Sequence, residues 1–489
     1  MLAQLEQDVL DLNNVSWRQS YDFRRTLPDS KLTKQDEVMR EVEAALSKKG
    51  SDANQALKAA QEEWSKPETL ARVRDGRRNL LAPIFHPMLR GKFHGNEGWG
   101  AGFLKSFVGH RISNAVRLIR RYPDIDLFIA ATLDVDLWFR GGFHGRESNP
   151  SEPLEAQVEM AGKIAVLTEG RVLPRTGFDP LRQVFWVMQQ GQNGSKYAAL
   201  GPIKEEPVTL LQRACEHWGS VGAKLYPVVG FRAWKNMGLG KYQPLLNRHY
   251  SSVVRAYLEK TGMHLEPDGL EASRALDAAL RKFYTTCNAG RYTVMAHTSH
   301  SNGGGDDHEN RSAPFFYFAA SEDFPNVRFD LGHFGGLGST KANFSNQAPM
   351  KQSEEEDWNR WPEEIAKYFR NSGRIYADLA YIGPGNVPPV ENLAYFLEKF
   401  PASRRKILYG SDWHELMTSL SSSTYYRDWT RLMDGRFNRH AEGILGQNAA
   451  DFLGLRQGQE GRKRLENFFA HWQVKADWLP MVDRGRSTS

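Results

Sequence analysis

Residues 325–335 read Pro325-Asn-Val-Arg-Phe-Asp-Leu-Gly-His333-Phe-Gly335. A short, largely apolar run, Val327–Leu331, stops at a glycine and a histidine. Length and β-branched or aromatic content mark it as a strand, and the residues that follow mark its end. Six further runs share the form: Leu127–Leu133, Val172–Phe178, Val221–Tyr226, Tyr292–Ala296, Ile375–Leu379 and Ile407–Tyr409. Helical patterns lie between them, among them Pro207–Trp218, Glu271–Cys287, Trp358–Arg370 and Val390–Phe400. Strand alternating with helix predicts a parallel sheet with crossover helices. Seven such runs favour an α/β, TIM-like (β/α)8 barrel over a doubly wound sheet. No Gly-x-Gly-x-x-Gly joins a strand to a helix and no phosphate-loop motif occurs, which counts against nucleotide-binding folds.

The chain has 489 residues, 40% hydrophobic and 25% charged, the composition of a globular protein with material for a sizeable core. No stretch approaches the roughly 18 uninterrupted apolar residues of a membrane helix. The start at Met1 lacks the basic and apolar regions of a secretory signal. Lysine and arginine total 64 against 58 acids, a net charge of +6 that is weak for this length. The basic clusters Arg72–Arg78, Arg117–Arg121 and Arg462–Arg464 read as solvated helix faces, not a nucleic-acid stripe. Two cysteines, Cys215 and Cys287, both in helical patterns, exclude a disulfide framework and a cysteine zinc site and fit a reducing cytoplasm. Residues 1–110 read as a helical N-terminal extension, 111–456 as the barrel and 457–489 as a helical tail, with Leu465–Trp472 and Trp478 packing back.

In a barrel the chemistry sits at the C-terminal ends of the strands. Lys224 lies inside Val221–Tyr226. His297 ends one run, His333 another, Asp378 a third, and Asp412 follows the last, with His414 two residues on. Taken singly, each has a structural explanation: a hydrogen-bonded histidine, a helix-capping aspartate, a lysine reaching for the surface. Taken jointly, two imidazoles and a carboxylate converging on one mouth suit a divalent metal ion with an open position for water.

These residues sit in pieces that resemble the amidohydrolase superfamily, in the branch of metal-dependent hydrolases and decarboxylases. The pieces are Arg171-Val-Leu-Pro-Arg-Thr-Gly-Phe-Asp-Pro180, Gly222-Ala-Lys-Leu-Tyr-Pro227, Met295-Ala-His-Thr298, the stretch quoted first, Tyr376-Ala-Asp-Leu379, Leu408-Tyr-Gly-Ser-Asp-Trp413 and Asn448-Ala-Ala-Asp-Phe-Leu-Gly-Leu455. The resemblance implies that His297 is the fifth-strand metal ligand. It makes His333 the sixth-strand histidine, a second ligand or an acid/base group. Asp412 becomes the eighth-strand aspartate, which binds metal and takes a proton from the attacking water. Lys224 falls on the fourth strand, where some members carry a carboxylated lysine bridging two metals. It would otherwise bind an acidic substrate group or form an ion pair. One divalent ion is expected, zinc first and manganese as the alternative.

The family's first strand ends in His-x-His, and no His-x-His occurs here. His86 and His94 are too far apart for one strand face, whose side chains alternate with period two. Three readings stay open: a first strand upstream of Met1, a substitute strand near residues 80–87 with His86 as a lone ligand, or a degenerate barrel that binds without turnover. A missing strand would expose sheet edges and favour a homodimer. His94 and His110 read as loop or helix residues. Asp134 and Asp136 end the second strand of the family pattern, and Asp179 and Arg182 follow the third, with Arg182 a candidate for holding a carboxylate. Ser299–His308 reads as an active-site loop, with His300 and His308 as alternative ligands. Trp138, Phe139, Tyr226 and Trp413 are candidates to line the pocket. Lys224, Arg182, Trp413 and Tyr226 are thus the substrate-binding set. Hydrolysis of a small organic amide, ester or lactone is the expected reaction. Non-oxidative decarboxylation on the same site is the alternative, with neither nucleic acid nor membrane as partner.

Overall fold

A computed structural model describes residues 115, 118–119, 122, 124–134, 154–190, 203–238, 270–299, 309–337, 360–382, 390–413 and 425–483. In chain order the regular elements are β1 (Phe128–Ala131), α1 (Leu154–Leu167), β2 (Val172–Gly177), α2 (Pro180–Gln190), α3 (Pro207–His217), β3 (Gly222–Leu225), α4 (Leu270–Gly290), β4 (Thr293–His297), α5 (Pro314–Asp323), β5 (Phe329–Gly332), α6 (Trp361–Tyr368), β6 (Ile375–Asp378), α7 (Val390–Lys399), β7 (Ile407–Leu408), α8 (Tyr425–Asp434), α9 (Asn438–Glu442), α10 (Asn448–Leu453) and α11 (Glu460–Trp472). The strands form one sheet in the order β1 to β7, and every pairing is parallel. Sequential order without reversal is the barrel arrangement, since a doubly wound sheet reverses at a switch point. The expected helical front, residues 1–110, lies outside the described residues except as the expectation stated above, and so does any first strand near residues 80–87.

All seven predicted runs contain strands; five are trimmed, and β4 and β5 start later and end one residue beyond the predicted run. The last shrinks to two residues, so Asp412 lies four positions beyond it. The four predicted helices are present, and α1, α2, α5 and α8 add to them. Proline occupies the first turn of α3, α5 and α6, where its missing N–H is no loss and its fixed φ suits the helix.

Strand periodicity divides the core into two faces. Ala223, Leu225, Val294, Ala296, Phe329, Leu331, Ile375, Ala377 and Ile407 pack in one cluster with helical side chains such as Phe185, Leu211, Phe283, Tyr317, Ile365 and Phe396. The alternate residues turn to the other face. Tyr376 and Leu408 belong to a second cluster around Phe452, Leu453 and Leu465. That inner face also carries the buried polar residues Arg175, Lys224, Thr293, His297, Asp330 and Asp378.

The sheet curls. The Phe452 ring of α10 lies 5.3 Å from the ring of Tyr376 on β6, and 5.3 Å from the guanidinium carbon of Arg175 on β2. Strands four places apart therefore meet on one phenyl group. Aromatic contacts continue toward the sheet's two outer strands: Tyr122 packs on Phe128 of β1 and edge-on to Tyr426 of α8, whose ring meets Tyr409 beside β7. The tail helix α11 buries Leu465, Phe468 and Phe469 in the same inner cluster. No helix among the described residues is long and apolar enough to cross a membrane.

Candidate active site

The ends of β4 and β5 bring His297 and His333 together. Their Nδ1 and Nε2 atoms, respectively, lie 3.1 Å apart. His333 Nδ1 is 2.8 Å from the carbonyl oxygen of Ala380. A carbonyl only accepts, so this nitrogen carries the hydrogen and Nε2 of the neutral ring offers a lone pair toward His297. His297 Nε2 is 3.1 Å from the Ser299 hydroxyl, which either donates or accepts. His333 is thus held in one tautomer; without metal, His297 Nδ1 donates across the 3.1 Å contact and the Ser299 hydroxyl donates to His297 Nε2. The ring of Tyr226 stands edge-on to His297 with centroids 5.1 Å apart. Tyr317 donates its hydroxyl hydrogen to the His297 carbonyl at 3.2 Å, fixing the strand end from behind.

The fit to a metal ion follows from these contacts. Two nitrogens each about 2.0–2.1 Å from one tetrahedral ion would lie about 3.3 Å apart, close to the separation of this pair. Metal-binding histidines characteristically hold their other ring nitrogen in a hydrogen bond, as Ser299 and Ala380 provide here. The imidazole pair therefore fits two ligands of a divalent ion. Among the described residues no group of three or more His, Cys, Asp or Glu side chains is gathered tightly enough to hold an ion. Asp412 therefore stands apart from the pair, and His86 lies outside the described residues.

Asp412 is half-buried, with φ +50°. Left-handed backbone at a non-glycine residue is strained and tends to mark sites that need an unusual side-chain direction. Three more such residues share this rim: His333 at φ +63°, Phe334 at +43° and Tyr381 at +47°. Asp412 forms no hydrogen bond or ion pair among the described residues. It exerts an electrostatic pull on Lys224.

Beneath the rim lies a buried ionic layer. Burial pulls the Lys224 ammonium below its ordinary pKa, while the carboxylates of Asp378, Asp412 and Asp330 work in the opposite direction. Burial likewise brings Arg175 down to about 10. Its Nη1 donates to the Thr293 hydroxyl at 3.1 Å and to the carbonyls of Ala223 and Thr293 at 3.3 Å, tying β2 to β3 and β4. Asp330 is pushed well above the usual carboxylate range by burial and then by Asp378, with Arg175 and Lys224 pulling the other way. Asp378 has one oxygen bonded to two backbone N–H groups and the other without a hydrogen-bond partner.

One expected substrate contact needs correcting. Arg182 Nε donates to both oxygens of Asp134 at 3.0 and 2.8 Å, and Nη2 adds a third bond at 2.6 Å. The guanidinium fork is filled from within the chain, so it is not presented to a substrate carboxylate. Asp179 accepts the N–H of Leu181 at 2.8 Å and caps α2, the structural alternative. Asp136, Trp138, Phe139, His94, His110, His300, His308 and His414 fall outside the described residues. Sequence reading gave no role to Ser299, Arg175 or Asp330. A polar residue inside an apolar strand was the available signal for the last two.

No family model and no curated protein matches the chain. Among solved structures it is similar to an amidohydrolase II, at 13% identity over 69% of this chain and 88% of that one, with a TM-score of 0.37. It is similar to 5-carboxyvanillate decarboxylase from Sphingomonas paucimobilis, at 10% identity over 76% and 95% of the two chains, TM-score 0.37. A structure named as a metal-dependent hydrolase from Lactobacillus casei gives 13% identity over 73% and 84%, TM-score 0.38.

Proposed function

We propose that this chain is a metal-dependent enzyme of the amidohydrolase type that hydrolyses a small organic amide, ester or lactone. The observation that carries the reading is the pair of facing ring nitrogens, His297 Nδ1 and His333 Nε2, each with its outer nitrogen hydrogen-bonded. A divalent ion held there, zinc by donor type with manganese as the alternative, would supply a Lewis acid and a water that ionises near neutral pH.

The chain's own residues do the rest. Asp412, which forms no hydrogen bond or ion pair among the described residues, takes the proton of the attacking water as general base; His333 is the alternative acid/base group where its Nε2 does not hold the ion. Lys224 places positive charge below the reacting carbon and stabilises negative charge developing on the carbonyl oxygen. Tyr226 and Trp413 wall the pocket. Asp134 already fills the Arg182 fork, which supports a neutral carbonyl compound as substrate, with decarboxylation on the same site as the alternative.

Metal analysis of the purified chain supplies the test. Close to one divalent ion per chain is expected, falling sharply in His297→Ala. A folded protein that takes up neither zinc nor manganese would leave a non-catalytic barrel as the reading. Parallel assays on ester, lactone and aromatic carboxylic acid panels separate hydrolysis from decarboxylation.

A further inference from the structure

Asp378 ends β6, is only 2% exposed, and lies on the strand next to β5, whose end carries His333. Its Oδ1 accepts the backbone N–H of His333 and that of Ala380, each at 2.9 Å. Ala380 in turn receives the Nδ1 hydrogen of His333 on its carbonyl oxygen at 2.8 Å. The carboxylate therefore holds His333 at its backbone and also holds the residue that fixes its ring.

The backbone it holds needs holding. His333, Phe334, Gly335 and Gly336 have φ of +63°, +43°, +63° and +85°, a left-handed turn closed by the Gly336 N–H on the His333 carbonyl at 2.8 Å. Left-handed conformation is unfavourable for L-residues, so such a turn persists only where its surroundings over-determine it. Phe334, fully buried against Phe369 and Phe396, fixes the far side. Asp378 fixes the near side. Glycines make room for it: a Cβ at Gly410 would lie 3.3 Å from the Asp378 carboxyl carbon and 3.0 Å from the Ala380 Cβ, and one at Gly332 would lie 2.9 Å from the Ala296 carbonyl oxygen.

We propose that Asp378 is a positioning residue of the site: through its Oδ1 it sets the left-handed turn and the single tautomer of His333, and so aims Nε2 at His297. This deepens the metal-dependent reading, but its first test does not depend on it.

In metal-free protein labelled with nitrogen-15 histidine, ring correlation spectra should show His333 hydrogenated at Nδ1 and bare at Nε2. Asp378→Asn keeps an oxygen acceptor and should preserve that signature. Asp378→Ala should lose it, giving mixed tautomers. Loss of the signature in Asp378→Asn, or its retention in a folded Asp378→Ala, overturns the proposal. Should the alanine variant not fold, the asparagine spectrum still decides. Zinc titration is the second arm: about a 10–100-fold weakening for alanine, the usual range for an outer partner of a ligand, and less than about 3-fold for asparagine. A wild-type chain that binds no zinc yet shows the tautomer pattern refutes the metal reading and leaves the positioning role standing.

Discussion

Two halves of the same rim carry similar residues and use them differently. At the ends of β1 and β2, Asp134, Asp179 and Arg182 are absorbed into structure: a forked ion pair with 1% and 11% of its side chains exposed, and a helix cap. At the ends of β4 to β7, His297 and His333 face each other, Asp412 has no partner, and four backbone positions are strained. Residue type and strand-end position do not separate the halves. What separates them is that the β1–β2 side chains close an ion pair and a helix cap, while the β4–β7 side chains set imidazole against imidazole on left-handed backbone.

The sharpest way to break the comparison is Asp134→Ala. If the β1–β2 half is structural, stranding Arg182 in a buried site should cost about 3–5 kcal/mol of unfolding free energy in urea titrations. A loss below about 1 kcal/mol would mean the pair is dispensable and the halves are not so different. His297→Ala probes the other side. It should weaken zinc or manganese binding by about 100-fold or more, beyond the range for outer-shell partners, while shifting the melting temperature of metal-free protein less than Asp134→Ala does.

A third experiment tests the ionic layer beneath the rim. Burial, then Asp378, raises the Asp330 carboxyl above its unfolded value. Its contribution to stability is therefore complete below about pH 3.9, the unfolded value, and is lost as pH climbs toward the folded value, because the unfolded chain releases the proton first. Asp330→Asn should match wild type near pH 3.5 and gain on it at higher pH, by up to about 1.4 kcal/mol per pH unit. Urea midpoints at pH 4, 6 and 8 read this directly, and a gap that does not widen with pH contradicts it. The smallest stability effect belongs to Asp412→Asn. Asparagine tolerates left-handed φ well, so unfolding should change by less than about 0.5 kcal/mol. Activity should fall by about 100-fold or more if Asp412 is the general base.

Much of this was legible in the chain. The strand runs stood out because each is short, apolar and closed by a polar or glycine residue, and the histidines were found by asking what each run ends with. Helix α5, Pro-Phe-Phe-Tyr-Phe-Ala-Ala-Ser-Glu-Asp, was not, since an almost continuous apolar run has no helical period to read. The Arg182–Asp134 pair spans 48 residues of sequence, and the parallel pairing of β1 with β2 brings it together. Asp378 was visible as a strand-end carboxylate, but its role depends on which two backbone N–H groups one of its oxygens meets, and no residue pattern states that.

The alternation along each strand has a further consequence. On β5, Phe329 and Leu331 hold the helices while Asp330 faces the lumen between them. Scaffold and chemistry are thus written on interleaved residues of one strand, like two messages sharing a line. Positions 224, 295, 330 and 378 alternate with the residues that pack on the helices, so the two sets can be substituted separately. A slip of a single residue in register would exchange the two messages and lose both.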